Sequence, residues 1–460
     1  MREFLLTLCV ATAVTYLLTG PVRKFAIIAG AMPAVRERDV HKEPTPRLGG
    51  IAMFGGLCAG LLVAAHLSTL SSIFDGGGDV PALLSGAGIM WIIGVLDDKW
   101  GVDALVKLGG QMVAAGVMVF QGVTVLWLPI PGVGTVVVPQ MWGTFIAVAL
   151  VVISVNAVNF IDGLDGLAAG MVCIAALAFF VYSYRLSYVY GIPDALPATL
   201  FSAILVGMCL GFLPHNLHPA RIFMGDSGAL LLGLVLSVSM ISLTGRVDPS
   251  VITGRIGSQT DAVHTMVPIY IPLLLPLTVI AIPIADLVLA VVRRTWAGQS
   301  PFAADKGHLH HRLLQLGHSH SRAVLIMYFW AALIAFATVA FSVNRTPLLL
   351  VKIAMAACLI GILVLLMPRF KPHAPRIAER FLPPRYRRTA AAAEPEPAGA
   401  PVAAPVGVKE VLTLGDLAPA ERAAADPASL SDEDEELLRK IGTGAHATGR
   451  HSGATGRSGR

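Results

Sequence analysis

The run Asn156-Ala-Val-Asn159-Phe-Ile-Asp162-Gly-Leu-Asp165-Gly166 sets two carboxylates and two carboxamides between strongly apolar segments. Asp97-Asp98 and Asp226 occupy the same kind of position, each at the end of an apolar run. Together these oxygens form a hard donor set suited to Mg2+ or Mn2+, which take one or two carboxylates plus substrate phosphates. Lys42, Arg47, Lys107 and the run Lys306-Gly-His308-Leu-His310-His311-Arg312 supply donors for phosphate oxygens. Acidic metal ligands beside basic phosphate clamps point to phosphoryl transfer, where catalysis is mostly positioning and charge neutralisation.

Each group also has a plainer reading. Asp97-Asp98, followed by Lys99, can simply end a helix at a membrane interface. The three histidines could hold Zn2+, but no Cys or third ligand cluster accompanies them, and the flanking Lys306 and Arg312 favour contact with phosphates. Asp286 can pair with Arg293 and Arg294 as a snorkelling partner. Cys9, Cys58, Cys173, Cys209 and Cys358 show no metal-type spacing and read as free thiols inside spans.

Membrane helices must position these groups. Hydrophobic residues make up 55% of the 460 and charged ones only 14%, with a mean hydropathy of +0.71, which excludes an ordinary soluble domain. Apolar runs at 3–20, 50–67, 81–97, 105–122, 142–158, 167–184, 196–214, 228–244, 267–292, 323–341 and 348–367 predict an all-α polytopic membrane protein with about eleven transmembrane helices. The first run has basic Arg23-Lys24 on its far side and no small-residue cleavage site, so a retained helix is expected. Lys and Arg concentrate in 21–49 and 293–322, which the positive-inside rule assigns to the cytoplasm. The same parity sends Asp97, Asp98, Asp162, Asp165 and Asp226 to that face. The net charge of +5 then belongs to loops beside anionic headgroups and implies no nucleic-acid partner. Residues 123–139 alternate around Pro131-Gly132 and predict a short periplasmic β-hairpin. Residues 1–367 read as a transmembrane catalytic domain, and 368–460, poor in large apolar residues, as a disordered cytoplasmic tail.

Five motifs carry a resemblance. HKEPTPRLGG (41–50), GVLDDKWG (94–101), NAVNFIDGLDGLAAG (156–170), RIFMGDSGALLLG (221–233) and DKGHLHHRL (305–313) occur in order at the ends of predicted spans. With them the chain, through about residue 367, resembles the polyprenyl-phosphate N-acetylhexosamine-1-phosphate transferases of bacterial membranes. The resemblance implies transfer of a sugar-1-phosphate from a UDP-sugar to a polyprenyl phosphate, with release of UMP, at the cytoplasmic side of the inner (plasma) membrane. His308 to His311 and the Pro46-Arg-Leu-Gly-Gly50 run look like the branch that uses UDP-N-acetylglucosamine. They lack the Pro-Thr-Met-Gly-Gly run of the branch that transfers phospho-N-acetylmuramoyl-pentapeptide.

The resemblance also implies roles at matching positions. Asp226 would bind Mg2+ (Mn2+ being the other candidate), with Asn159 as second ligand. Phe223 would stack on uracil and Asp165 hydrogen-bond its edge. Asp97 or Asp98 would orient or deprotonate the lipid phosphate, and Lys107 would reach the diphosphate. His308, His310, His311 and Arg312 would hold the sugar and its phosphates, with Lys42 in the same basic loop. For Asp162 two readings stand, a uridine contact or a cap on the next helix. Attack by the lipid phosphate can be direct or run through a covalent aspartyl intermediate. A homodimer is open to such a chain. The rival from another class is an ion-coupled carrier, but a carrier places its charges near the midplane and often shows repeated halves. Here the acids gather at one face and no internal repeat is seen.

Overall fold

The structure, a computed structural model, describes residues 1–32, 44–75, 78–130, 134–247, 295–296 and 319–343, with residues 352, 355, 358 and 359. All belong to the unit Met1–Lys371. In chain order the elements are α1 (Arg2–Ile28), α2 (Gly49–Ala65), the short α3 (Ser72–Asp75), α4 (Asp79–Trp100) and α5 (Ala104–Phe120). Strands β1 (Trp127–Ile130) and β2 (Gly134–Val137) follow, then α6 (Gln140–Ile161), α7 (Leu167–Tyr184), α8 (Leu196–Asn216), α9 (Gly225–Arg246) and α10 (His320–Val343). The described chain is thus mostly helical, and seven of its helices are long and apolar enough to cross a membrane: α1, α4, α6, α7, α8, α9 and α10. α2 and α5 are apolar but shorter, 17 residues each. The expected spans at 267–292 and 348–367 lie outside the described residues, apart from four isolated positions in the latter.

Helices apolar all round suit a medium without water, because every backbone group is satisfied inside its own segment. Their few hydroxyls follow the same logic. Ser239 donates to Val235 O at 2.8 Å and Thr244 to Met240 O at 2.9 Å, each one turn back along α9. Among the described residues α9 is the most enclosed helix, 94% buried over its apolar length. α2, α4, α6, α7 and α8 surround it, α1 packs on α2 and α8, and α10 on α7. Close approach near the start of α9 needs small partners. A β-carbon on Gly50 of α2 or Gly94 of α4 would overlap the backbone at Ser227.

Several helix ends fall beyond the expected limits. α1 runs through Pro21 to Ile28 and carries Arg23 and Lys24 on its last turns. α6 extends to Ile161, so Asn156 and Asn159 are helical and share a face. β1 and β2 pair antiparallel, from Trp127 opposite Val137 to Ile130 opposite Gly134. They join the far ends of α5 and α6, and residues 131–133 between them lie outside the described residues.

Candidate active site

Asp226 is the second residue of α9, and the end of that helix is unusually well held. Helix starts leave orphan N–H groups and a partial positive charge. Here the missing acceptor comes from another helix. Asp98, in the last turn of α4 and buried, accepts from Asp226 N at 2.8 Å and Ser227 N at 3.1 Å. A carboxylate at the negative end of its own helix is thereby placed on the positive end of α9. Gly225 makes this fit: its φ is +68°, and a β-carbon there would overlap the Asp98 carboxylate.

The Asp226 side chain is shared between α5 and α6. Lys107 Nζ lies 2.9 Å from its Oδ2 and 3.2 Å from Asp97 Oδ2, bridging the two carboxylates. Asn159 Nδ2 donates to Asp226 Oδ1 at 3.0 Å. Asp97 is oriented by Val102 N, which donates to its Oδ1 at 2.7 Å. Asp97, Lys107, Asn159 and Asp226 are all half-buried. The donor chemistry fits a hard divalent cation: two carboxylates, and the amide of Asn159, whose second arm is a carbonyl oxygen. Each carboxylate has about four lone-pair sites, and Lys107 and Asn159 occupy only part of those on Asp226.

A second cluster adjoins the first. Asp165 is buried, and its Oδ2 accepts from Ala220 N at 3.1 Å and pairs with His218 Nδ1 at 2.8 Å. The His218 ring stacks on that of His320 at the start of α10, with centroids 4.3 Å apart and planes 16° from parallel. Ligating atoms of Asp165, His218 and His320 lie within 4.8 Å of one another, a grouping that could hold a metal ion. Stacked rings keep their in-plane lone pairs parallel, so both histidines could ligate one ion only after a ring turns. Asn216 ties the loops together: its Oδ1 accepts from Gly166 N at 3.1 Å and its Nδ2 donates to Ile222 O at 3.0 Å. Tyr328 of α10 donates its hydroxyl to Gly166 O.

Gly166, at φ +77°, is the N-cap of α7, and Asp162 is the C-cap of α6. Of the two readings of Asp162, the cap on α7 does not occur, because the chain makes a turn over 162–166 before the helix begins. Burial first, then the charges of Asp226 and Asp98, push the Asp162 carboxyl up to about 7, with Arg47 opposing. The folded protein thus favours the protonated acid. That stabilisation is complete below the ordinary value of 3.8 and is lost as pH climbs to about 7. Asp162→Asn, which cannot ionise, is expected to gain thermal stability over the parent as pH rises through that window in metal-free detergent solution. Parallel stability curves for the two proteins would refute this.

Two further motif segments meet through their backbones. Phe223 N donates to Pro46 O at 2.9 Å, Gly49 N to Phe223 O at 3.1 Å and Gly50 N to Met224 O at 3.0 Å. Phe223 itself is half-buried in this ladder. Lys42, Lys306, His308, His310, His311 and Arg312 lie outside the described residues. The structure therefore gathers Asp97, Asp98, Lys107, Asn159, Asp162 and Asp226 at one end of the bundle, with the Asp165 cluster beside them. Asn156, counted among the oxygen donors, pairs instead with Gln111. His218, Asn216, His320 and Tyr328 escaped the sequence reading. His218 and Asn216 do stand out as polar residues in the short link between two apolar runs, though nothing local names their partners.

Comparison with known proteins completes the description. The model of the family described as Glycosyl transferase family 4 matches residues 80–244. The chain is 44% identical over 375 residues to a decaprenyl-phosphate N-acetylglucosaminephosphotransferase of Mycolicibacterium smegmatis, covering 80% of this chain and 89% of the relative. It is 46% identical over 340 residues to the protein of the same name in Mycobacterium tuberculosis, covering 73% and 82%. A probable undecaprenyl-phosphate N-acetylglucosaminyl 1-phosphate transferase of Bacillus subtilis is 30% identical over 384 residues, covering 83% and 95%.

Proposed function

This chain belongs to the polyprenyl-phosphate N-acetylhexosamine-1-phosphate transferases of glycosyl transferase family 4, and we propose from that premise how its residues carry the transfer. The enzyme transfers N-acetylglucosamine-1-phosphate from a nucleotide sugar to a polyprenyl phosphate. In our reading the donor is UDP-N-acetylglucosamine, the acceptor is decaprenyl phosphate, the lipid in the names of the mycobacterial relatives, and the site faces the cytoplasm of a bacterial plasma membrane. The observation that carries the chemistry is Lys107 bridging Asp97 and Asp226 beside Asn159.

An oxygen of the lipid phosphate attacks the β-phosphorus of the donor, and the bond from that phosphorus to the UMP oxygen breaks. The product is a diphosphate-linked lipid, and UMP leaves with the bonding electrons. An ionised phosphate needs no strong base, so Asp97, fixed by Val102 N and Lys107, serves as a positioning group. Lys107 swings from the carboxylates to the phosphates, bringing the positive charge that the transition state requires. Asp226 and Asn159 would hold Mg2+, which would supply charge neutralisation at the diphosphate. Asp98 holds the start of α9, and Asp226 with it, in place. Phe223 and the Asp165–His218 pair line the uridine side, with Asp162 between the two clusters. His308, His310, His311, Arg312 and Lys42 close the site on the sugar and phosphates, a role that rests on the motif resemblance.

Purified protein, labelled UDP-N-acetylglucosamine, decaprenyl phosphate and Mg2+ test the reading. The expected result is labelled lipid and UMP in equal amounts, abolished by EDTA and restored by Mg2+. Product formation that continues unchanged in EDTA would remove the metal from the scheme. No labelled lipid at all would remove the substrate assignment.

A further inference from the structure

Gln111 and Asn156 form a polar pair that the transfer described above does not use. Gln111 is buried on α5, one turn beyond Lys107. Asn156 lies on α6, one turn before Asn159. The two amides bond reciprocally, Asn156 Nδ2 donating to Gln111 Oε1 at 2.6 Å and Gln111 Nε2 to Asn156 Oδ1 at 3.4 Å. Asn156 Nδ2 also donates to Val152 O at 2.8 Å, which anchors the side chain to its own helix.

The buried Gln111 amide is costly to leave unpaired, while its partner Asn156 is exposed on α6. A slide or rotation of α5 against α6 would break both bonds at once, so the pair sets the register of the two helices. Their covalent link, through β1 and β2, is at the opposite ends and cannot set the register here. One turn away, Lys107 holds Oδ2 of Asp226 and Asn159 holds Oδ1. We infer that Gln111 and Asn156 are positioning residues for the transfer: their amide pair fixes α5 against α6 so that Lys107 and Asn159 meet the Asp226 carboxylate from two sides. The inference rests on the reading of Asp226 as the metal-binding carboxylate. It adds the device that keeps the cluster assembled when Lys107 moves to substrate.

The test uses the full chain in detergent with four variants: Gln111→Leu, Asn156→Leu, the double Leu variant, and the exchange of Gln111→Asn with Asn156→Gln. Removing a partner that holds a metal ligand in place typically costs about 10- to 100-fold in activity or metal affinity. Each single variant should therefore lose kcat by about that factor and need several-fold more Mg2+ for half-maximal rate, with KM for UDP-N-acetylglucosamine within about twofold of the parent. The exchange, which can rebuild the reciprocal bonds, should recover much of kcat. The double Leu variant leaves no polar half in the bilayer and should fold while showing the same kcat and Mg2+ defect. Folded variants with parental kcat and Mg2+ response would overturn the inference. Loss of folded protein in all four would also overturn it, because the pair would then be a stability element only. A parent that makes no labelled lipid, or an Asp226→Asn variant that keeps full activity, would instead overturn the functional reading beneath it.

Discussion

Asp226→Asn is expected to lower turnover by about a thousandfold, the scale seen when one preorganised charge-stabilising group is lost from an active site, while the helical bundle stays intact. The change keeps shape and leaves an oxygen for Asn159 Nδ2. It fails on the other arm, where the new amide nitrogen faces Lys107 Nζ, a donor against a donor in place of the 2.9 Å ion pair. Lys107 is then left on Asp97 alone, and the metal set loses its best-placed charge. Labelled-lipid formation measures the rate, and far-ultraviolet circular dichroism with a thermal melt confirms the fold. A variant with more than about a tenth of parental turnover would sink the assignment.

Gly225→Ala tests the architecture instead of the chemistry. The substitution asks an L residue to hold φ +68° and pushes a β-carbon into the Asp98 carboxylate. Left-handed backbone costs about 1–2 kcal/mol for a non-glycine residue. Displacing Asp98 also weakens two hydrogen bonds to a charged acceptor, each worth about 1.5–3 kcal/mol. A loss of about 3–5 kcal/mol follows, since neither contribution is forfeited in full. It would be read as a much lower melting temperature in detergent and little remaining activity. Gly109→Ala is the control: it lies inside α5 with nothing near its β-position, so it should leave stability unchanged or slightly raised. If the two alanine variants melt together, the Asp98 clamp contributes little.

Local pattern and long-range contact explain what could be read from the chain. The runs 81–97 and 228–244 became α4 and α9 because apolar composition alone decides where a chain can lie in a bilayer. The convergence of Asp97, Asp98, Asn159 and Asp226 was legible from span parity, which needs only the order of helices. The partners were not. Nothing near residue 98 says that its carboxylate will hold the N–H groups of residues 226 and 227, and nothing near Asp165 names His218. Asn156 and Asn159 looked alike in sequence. A helix continuing to Ile161 gives them neighbours on different helices, Gln111 for one and Asp226 for the other. For Asp162 the sequence left a cap and a uridine contact open, and the turn that follows gives the cap of α7 to Gly166.

The enclosure of α9 bears on how the protein is made. α9 is apolar enough to cross a membrane, yet in the folded chain almost none of its surface is left to meet lipid. Among the described residues, the helices that enclose it most closely, α2, α4, α6, α7 and α8, all precede it in the chain. The cradle is therefore synthesised first, and α9 can dock as it emerges, bringing Asp226 to Lys107 and Asn159 as the last piece of the cluster.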